Sequence, residues 1–146
     1  MEKKSPALNE KVLEKYRNVK KNETFENMVA LIQAIGRTNC NATELVAEYG
    51  VKLLAKHHSS LTDEFFPIVE ETFYAVTEMR LLDWAYLCLQ LMKKRLDFSA
   101  KYHRSLAVYY EACGKTKEAR NTYYEVIKQC PSDSLAYKRL SLLFVG

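Results

Sequence analysis

The sequence predicts an all-α protein built from stacked helical hairpins. Three observations carry that prediction. Chain breakers are scarce, with 4 glycines and 3 prolines in 146 residues, against ordinary shares of about 7% and 5%. Apolar residues return at helical spacing along most of the chain, and no stretch alternates with period two for long enough to suggest a sheet. In the C-terminal half, similar residues recur 34 positions apart, a period that holds two short helices and their turns. With 48% hydrophobic and 27% charged residues, a chain of this length can bury a core as one helical-repeat domain.

The elements follow in order. Ser5-Pro6 reads as a cap and first helical residue, and Leu8, Val12, Tyr16 and Val19 continue a helix over about 6–20. After "KKNE" a second helix spans about 24–36, with Phe25, Met28, Val29, Ile32 and Ile35 as its stripe and Gly36 as its stop. Asn41 and Glu44 have capping-box spacing and open a third helix that buries Leu45, Val46, Tyr49, Leu53 and Leu54. His57 to Ser60 read as a loop. A fourth helix spans about 62–79, with Phe65, Phe66, Val69, Phe73 and Val76 on one side. "RLLD" is a tight turn, and Asp83 caps a fifth helix carrying Trp84, Leu87, Cys88, Leu91 and Met92. Past the turn "LDFS" come helices at about 101–112 and 116–129, and a last one from Leu135 onward. Residues 1–60 are then capping helices, 62–97 a degenerate repeat, 100–133 a clear repeat and 134–146 the start of a truncated one.

Self-comparison gives the sharpest signal. Ala85 and Ala119 are 34 apart, as are Leu89 and Tyr123. His103, Leu106, Ala107 and Tyr110 recur as Tyr137, Leu140, Ser141 and Phe144. Small residues such as Ala107 and Ala119 suit places where two helices cross closely, and Tyr110 and Tyr123 fill the space beside them. Pro131 closes the unit. This set resembles the tetratricopeptide family, whose pattern W-x2-L-G-x2-Y, then A-x3-F, then P is met by Leu106, Ala107, Tyr110, Ala119, Tyr123 and Pro131, with His103 departing at the tryptophan place. Ala85 and Leu89 fit the second helix of the preceding copy, whose first helix departs from the pattern.

From Glu44 onward the chain also resembles the N-terminal part of the subunit 2 family of the endoplasmic reticulum membrane protein complex. The carrying segments are "DWAYLCLQLMKKR" (83–95) and "YYEACGKTKEARNTYYEVIKQCPSDSLAYKRL" (109–140), with Cys88-Leu89-Gln90 and Ala136-Tyr137-Lys138-Arg139 as the more specific parts. The resemblance implies a cytosolic scaffold of a membrane-protein insertase, placed at the cytosolic face of the endoplasmic reticulum, that ties protein partners to membrane subunits. The alternative is a generic tetratricopeptide adaptor for a peptide or partner helix, of the chaperone co-factor kind. The first helix of each pair lines the concave face of such stacks. On this phase that face carries Glu70, Tyr74 and Glu78, then Lys101, Arg104 and Val108, then Lys138 and Leu142. A partner of mixed charge suits that layout. Some family members clamp a peptide carboxylate with Lys and Asn here, but Val108 and Leu142 stand where the Asn is wanted. "LSLLFVG" leaves Leu140, Leu142, Leu143, Phe144 and Val145 without a following helix, so the chain is expected to be a piece of a longer protein and to self-associate through that open end.

Other chemistries find little support. Gly114-Lys115-Thr116 has the tail of a phosphate-binding loop, but Tyr109 stands where the first glycine is required and a helix precedes it instead of a strand. Gly114 is better read as a left-handed helix end, with Thr116 capping the next helix. His57-His58 has no third ligand at metal-binding spacing, and His103 reads as a packed ring. Cys40, Cys88, Cys113 and Cys130 show no CxxC pair and read as buried reduced thiols, in keeping with the cytosol. No run of about 18 apolar residues predicts a membrane span. The net charge of +4 comes from short lysine runs without a nucleic-acid motif. No catalytic residue, cofactor, metal or nucleic acid is therefore expected.

Overall fold

A computed structural model describes residues 9–61, 65–96 and 99–145. The chain is all-α and of helical-repeat class, and no strand occurs among the described residues. The helices are α1 (Glu10–Lys21), α2 (Phe25–Arg37), α3 (Thr43–His57), α4 (Phe66–Glu78), α5 (Leu82–Leu96), α6 (Ala100–Ala112), α7 (Thr116–Gln129) and α8 (Ser134–Val145), with a 3-10 turn at His58–Ser60. They divide into two compact units, Met1–Met79 and Arg80–Gly146. That boundary falls inside the segment 62–97 expected as one degenerate repeat.

In the first unit, α1 starts from Asn9, whose side chain accepts the Val12 N–H at 2.9 Å; the expected start at Ser5-Pro6 lies outside the described residues. Val12 and Val19 are fully buried, and Lys20 lies over the Tyr16 ring. Thr24 caps α2 through the Asn27 N–H. The stop of α2 corrects the expectation. Gly36 lies inside the helix, and the chain turns at Asn39, which holds φ +51°. Cys40 N–H reaches the Ile35 carbonyl and Asn39 N–H reaches that of Gly36, the paired bonds of a Schellman end.

The residue Gly36 serves packing instead. A Cβ there would lie 2.1 Å from Glu71 Oε1, so only glycine lets that carboxyl lie against α2. Gly50 does the same for α3: its Cβ would lie 2.3 Å from Thr72 Oγ1 and 2.6 Å from Thr72 Cγ2. The α3–α4 crossing is therefore set by glycine against threonine, with Tyr49, Leu53, Val69, Phe73 and Val76 packed into the core around it. The capping box is not formed as expected. Helix α3 begins at Thr43, with Ala42 in the cap position and no side-chain cap bond. On α4, Pro67 stands in the first turn, where its missing N–H costs no helical bond; the expected start at Thr62 lies outside the described residues.

In the second unit, α5 begins at Leu82 after Arg80, which has φ +64°. Asp83 thus sits within the first turn and is not the cap. The buried stripe of α5 is Ala85, Cys88, Leu89 and Met92, while Leu87 is exposed; the expected stripe was rotated by part of a turn. Ser99 caps α6 by accepting the Tyr102 N–H at 3.1 Å. Gly114 ends α6 at φ +77°, with Lys115 N–H on the Tyr110 carbonyl and Gly114 N–H on that of Glu111. Thr116 is the first residue of α7, one past the cap position held by Lys115, so it does not cap as expected. Ala107, Ala119, Tyr123, Val126, Ala136 and Leu140 form the core of α6, α7 and α8. Cys88 alone of the four cysteines is buried, so the expectation of four buried thiols is corrected; all four are free thiols.

Candidate protein-interaction surface

The repeat predicted from the alanines is present in the second unit. Ala85 and Ala119 are both fully buried, as are Leu89 and Tyr123. The period reaches further than the residues that announced it. Met92 and Val126, also 34 apart, are fully buried. Ser99 and Asp133, again 34 apart, each cap a helix, Asp133 through the Ala136 N–H at 3.1 Å. Both cap residues stand immediately before a helix that repeats the Leu106–Tyr110 pattern. Pro131 is exposed, Leu106 and Tyr110 are half-buried, and His103 is half-buried with Nδ1 2.9 Å from the Ser99 carbonyl.

Two ion pairs tie α6 to α8. Arg104 meets Asp133 Oδ2 with Nε at 3.0 Å and Nη2 at 2.8 Å. Burial pushes the Asp133 carboxyl up, but the Ala136 N–H and the Arg104 guanidinium together outweigh it and hold it below its ordinary value of 3.8. At the penultimate residue of α6, Glu111 receives Arg139 through both carboxylate oxygens, at 3.1 Å and 2.8 Å. The hydroxyl of fully buried Tyr123 donates to the same carboxylate. Burial first, and the Glu111 bond next, push the Tyr123 phenol far up, so it stays a donor. The two-pronged Arg139 contact fixes geometry as well as charge. Neither pair was legible locally, because the partners lie 28 and 29 residues apart.

The eight residues expected to line a binding face fall into two groups. Glu70, Tyr74 and Glu78 lie on α4 in the first unit, and Lys101, Arg104, Val108, Lys138 and Leu142 lie on α6 and α8 in the second. Within the second, Lys101 and Lys138 are exposed and Leu142 is 56% exposed. Arg104 is engaged by Asp133, and Val108 packs partly against the core. The apolar end of α8 also differs from expectation. Leu140 is buried and Leu143 packs on the core, whereas Leu135, Tyr137 and Leu142 are the exposed apolar residues; the side chains of Phe144 and Val145 lie outside the described residues. Tyr124 on α7 is exposed as well.

In the first unit, Tyr74 and Glu78 help line a hollow of about 240 Å³ between α2, α3 and α4, together with Ile35, Cys40, Val46 and Glu71. From the sequence, Glu70-Glu71 read as solvated or as lining a groove; Glu71 is half-buried on this hollow, where Gly36 across the helix crossing makes room for it. The histidine pair has another use: His57, the last residue of α3, packs its ring 5.4 Å from that of Phe25. Among the described residues no group of His, Cys, Asp and Glu could hold a metal ion, and no helix is long and apolar enough to cross a membrane.

Residues 100–143 match the tetratricopeptide repeat family, so α6 and α7 are its hairpin and α8 the helix that follows. The chain is 27% identical over 116 residues to ER membrane protein complex subunit 2 of Xenopus tropicalis and to subunit 2-A of Xenopus laevis. It is 24% identical over the same length to subunit 2-B of Xenopus laevis. Each comparison covers 80% of this chain and 39% of the relative, so the chain spans about two-fifths of the length of the curated relatives it matches. Repeat pairing and these relatives together make it a protein-interaction scaffold in kind.

Proposed function

We propose that this chain is a non-enzymatic scaffold subunit of an endoplasmic reticulum membrane protein complex, one that acts in membrane-protein insertion. It works at the cytosolic face and ties protein partners to membrane-embedded subunits. The observation that carries this reading is the tetratricopeptide hairpin of α6 and α7 locked to α8, in a chain similar to subunit 2 of that complex. The two ion pairs make α6 and α8 a rigid pair of first helices, which supports a preformed partner surface. Lys101, Lys138 and Leu142 are its accessible members, with Leu135 and Tyr137 as apolar anchors on the same helix. Arg104 serves this surface by holding α8 in place through Asp133.

The test is affinity purification of the full chain, tagged and at native abundance, from detergent-solubilised membranes. Membrane-spanning proteins should co-purify in fixed proportion. Lys138→Glu with Leu142→Asp should reduce that recovery at least tenfold while the melting temperature of the purified chain stays within a degree or two. Recovery of a soluble chaperone alone would favour the adaptor reading instead, and unchanged recovery with the double variant would remove these residues from the surface.

A further inference from the structure

The hollow of the first unit has a feature its packing does not use. Glu71 lies across Gly36 on the wall of the space between α2, α3 and α4, and Glu78 stands two turns further along α4 on the same hollow. Neither carboxylate has a hydrogen-bond or ion-pair partner among the described residues. Ile35, Ala42, Val46 and Ala75 supply apolar walls. Burial first, and the like charge of Glu70 next, raise the Glu71 carboxyl above its ordinary value of 4.5. The chain carries 22 Lys and Arg residues against 18 Asp and Glu, yet none of its described cations pairs with this half-buried carboxylate. An anion held against backbone in an apolar recess, with no counter-ion, is complementary to a cation brought from outside.

We infer that this hollow is a docking site for an arginine side chain of a protein partner, its guanidinium on Glu71 and its aliphatic stem against Ile35, Val46 and Ala75. Arginine suits the site because its planar fork can meet both oxygens of one carboxylate and is weakly hydrated, so it gives up less on entering an apolar recess than an ammonium does. Its methylene stem matches the apolar walls. The inference rests on the scaffold reading, and it names the chemistry of one anchor that such a scaffold would recognise.

The test uses the full chain alone, so it does not depend on which partner co-purifies. A blocked five-residue peptide with one central arginine is titrated against the isotope-labelled chain, beside a twin carrying neutral citrulline. The arginine peptide should give saturable amide shifts at Cys40, Val46, Tyr74 and Ala75, and the citrulline peptide should not. Glu71→Gln should weaken binding at least fivefold, whereas Glu26→Gln, an equal change of net charge at an exposed position of α2, should leave it unchanged. Equal shifts from both peptides, shifts confined to other residues, or full binding by Glu71→Gln would overturn the inference. Partners still recovered by the tagged chain alongside that negative result would leave the scaffold reading standing and remove only this anchor.

Discussion

The two units bring helices together by different means. In the first, glycines do it: Gly36 makes room for the Glu71 carboxyl and Gly50 for the Thr72 side chain, and Glu71 is left without a cation. In the second, alanines do it: Ala107 and Ala119 are fully buried beside Tyr123 where α6 meets α7, and Arg104–Asp133 and Arg139–Glu111 pair charges between α6 and α8. Both units end a helix with the same Schellman turn, yet one puts Asn39 and the other Gly114 in the left-handed position. The lesson is that a recurring alanine spacing advertises a repeat, while a glycine crossing can build similar packing without any period to betray it.

The largest expected effect attacks the aromatic pivot of the second unit. Tyr123→Ala removes a fully buried ring and the donor to Glu111, and should cost about 3–5 kcal/mol in chemical denaturation. A loss below about 1 kcal/mol would mean that the alanine–tyrosine packing is not what holds α6, α7 and α8 together.

Next in size is the glycine crossing of the first unit. Gly50→Ala drives a Cβ into Thr72 and should cost about 1–3 kcal/mol. Thr72→Ala removes the two nearest atoms that a Cβ at 50 would meet, Cγ2 and the buried Oγ1 that has no hydrogen-bond partner among the described residues, and leaves the residue's own Cβ at 2.9 Å. The double variant should therefore recover part of the loss, and additive losses in a double-mutant cycle would show that the two residues do not meet as described.

The matched helix ends offer a smaller contrast of opposite sign. At Gly114 an added Cβ meets nothing within 4 Å, so Gly114→Ala should cost about 1 kcal/mol from backbone conformation alone. Asn39→Gly should change stability by less, and toward greater stability, because asparagine already tolerates the left-handed region better than most residues. Thermal unfolding of both variants checks the signs.

The smallest effect separates the units by pH. Asp133 is held below 3.8, so its contribution is fully present above that value and is lost as pH falls through the lower folded value. Glu71 is raised above 4.5, so its contribution is fully present below that value and is lost as pH rises through the higher folded one. Asp133→Asn should therefore flatten the loss of stability in acid below 3.8, and Glu71→Gln should raise stability above 4.5. Melting curves read from about pH 3 to about pH 7 in both variants give the two slopes, and equal slopes would erase the distinction between a paired and an unpaired carboxylate.

The sequence made the second unit legible because its signals are small residues at a fixed period. Ala85, Ala119, Leu89 and Tyr123 could be matched by counting, and the elbow at Gly114 needed only its left-handed backbone. Caps were read one residue off at Asn41 and Thr116 and two off at Asp83, because a polar residue near a helix start looks like a cap and only backbone geometry separates the positions. Gly36 was misread because a glycine late in a helix looks like a stop until the helix opposite is known. The Glu111–Tyr123–Arg139 cluster and Glu71 depend on contacts between helices, which no local pattern carries. Ser99 and Asp133 were an available signal, since they repeat the 34-residue period as caps.

The central claim is that this chain works as a scaffold through the surface of α6 and α8. Lysine-reactive cross-linking in intact cells at native abundance, read by mass spectrometry, tests it most directly. The account predicts cross-links from Lys101 and Lys138 to membrane-spanning subunits of one complex, more frequent than those from Lys11 and Lys20 on α1. Cross-links from Lys101 and Lys138 only to the chain itself or to soluble chaperones would contradict it.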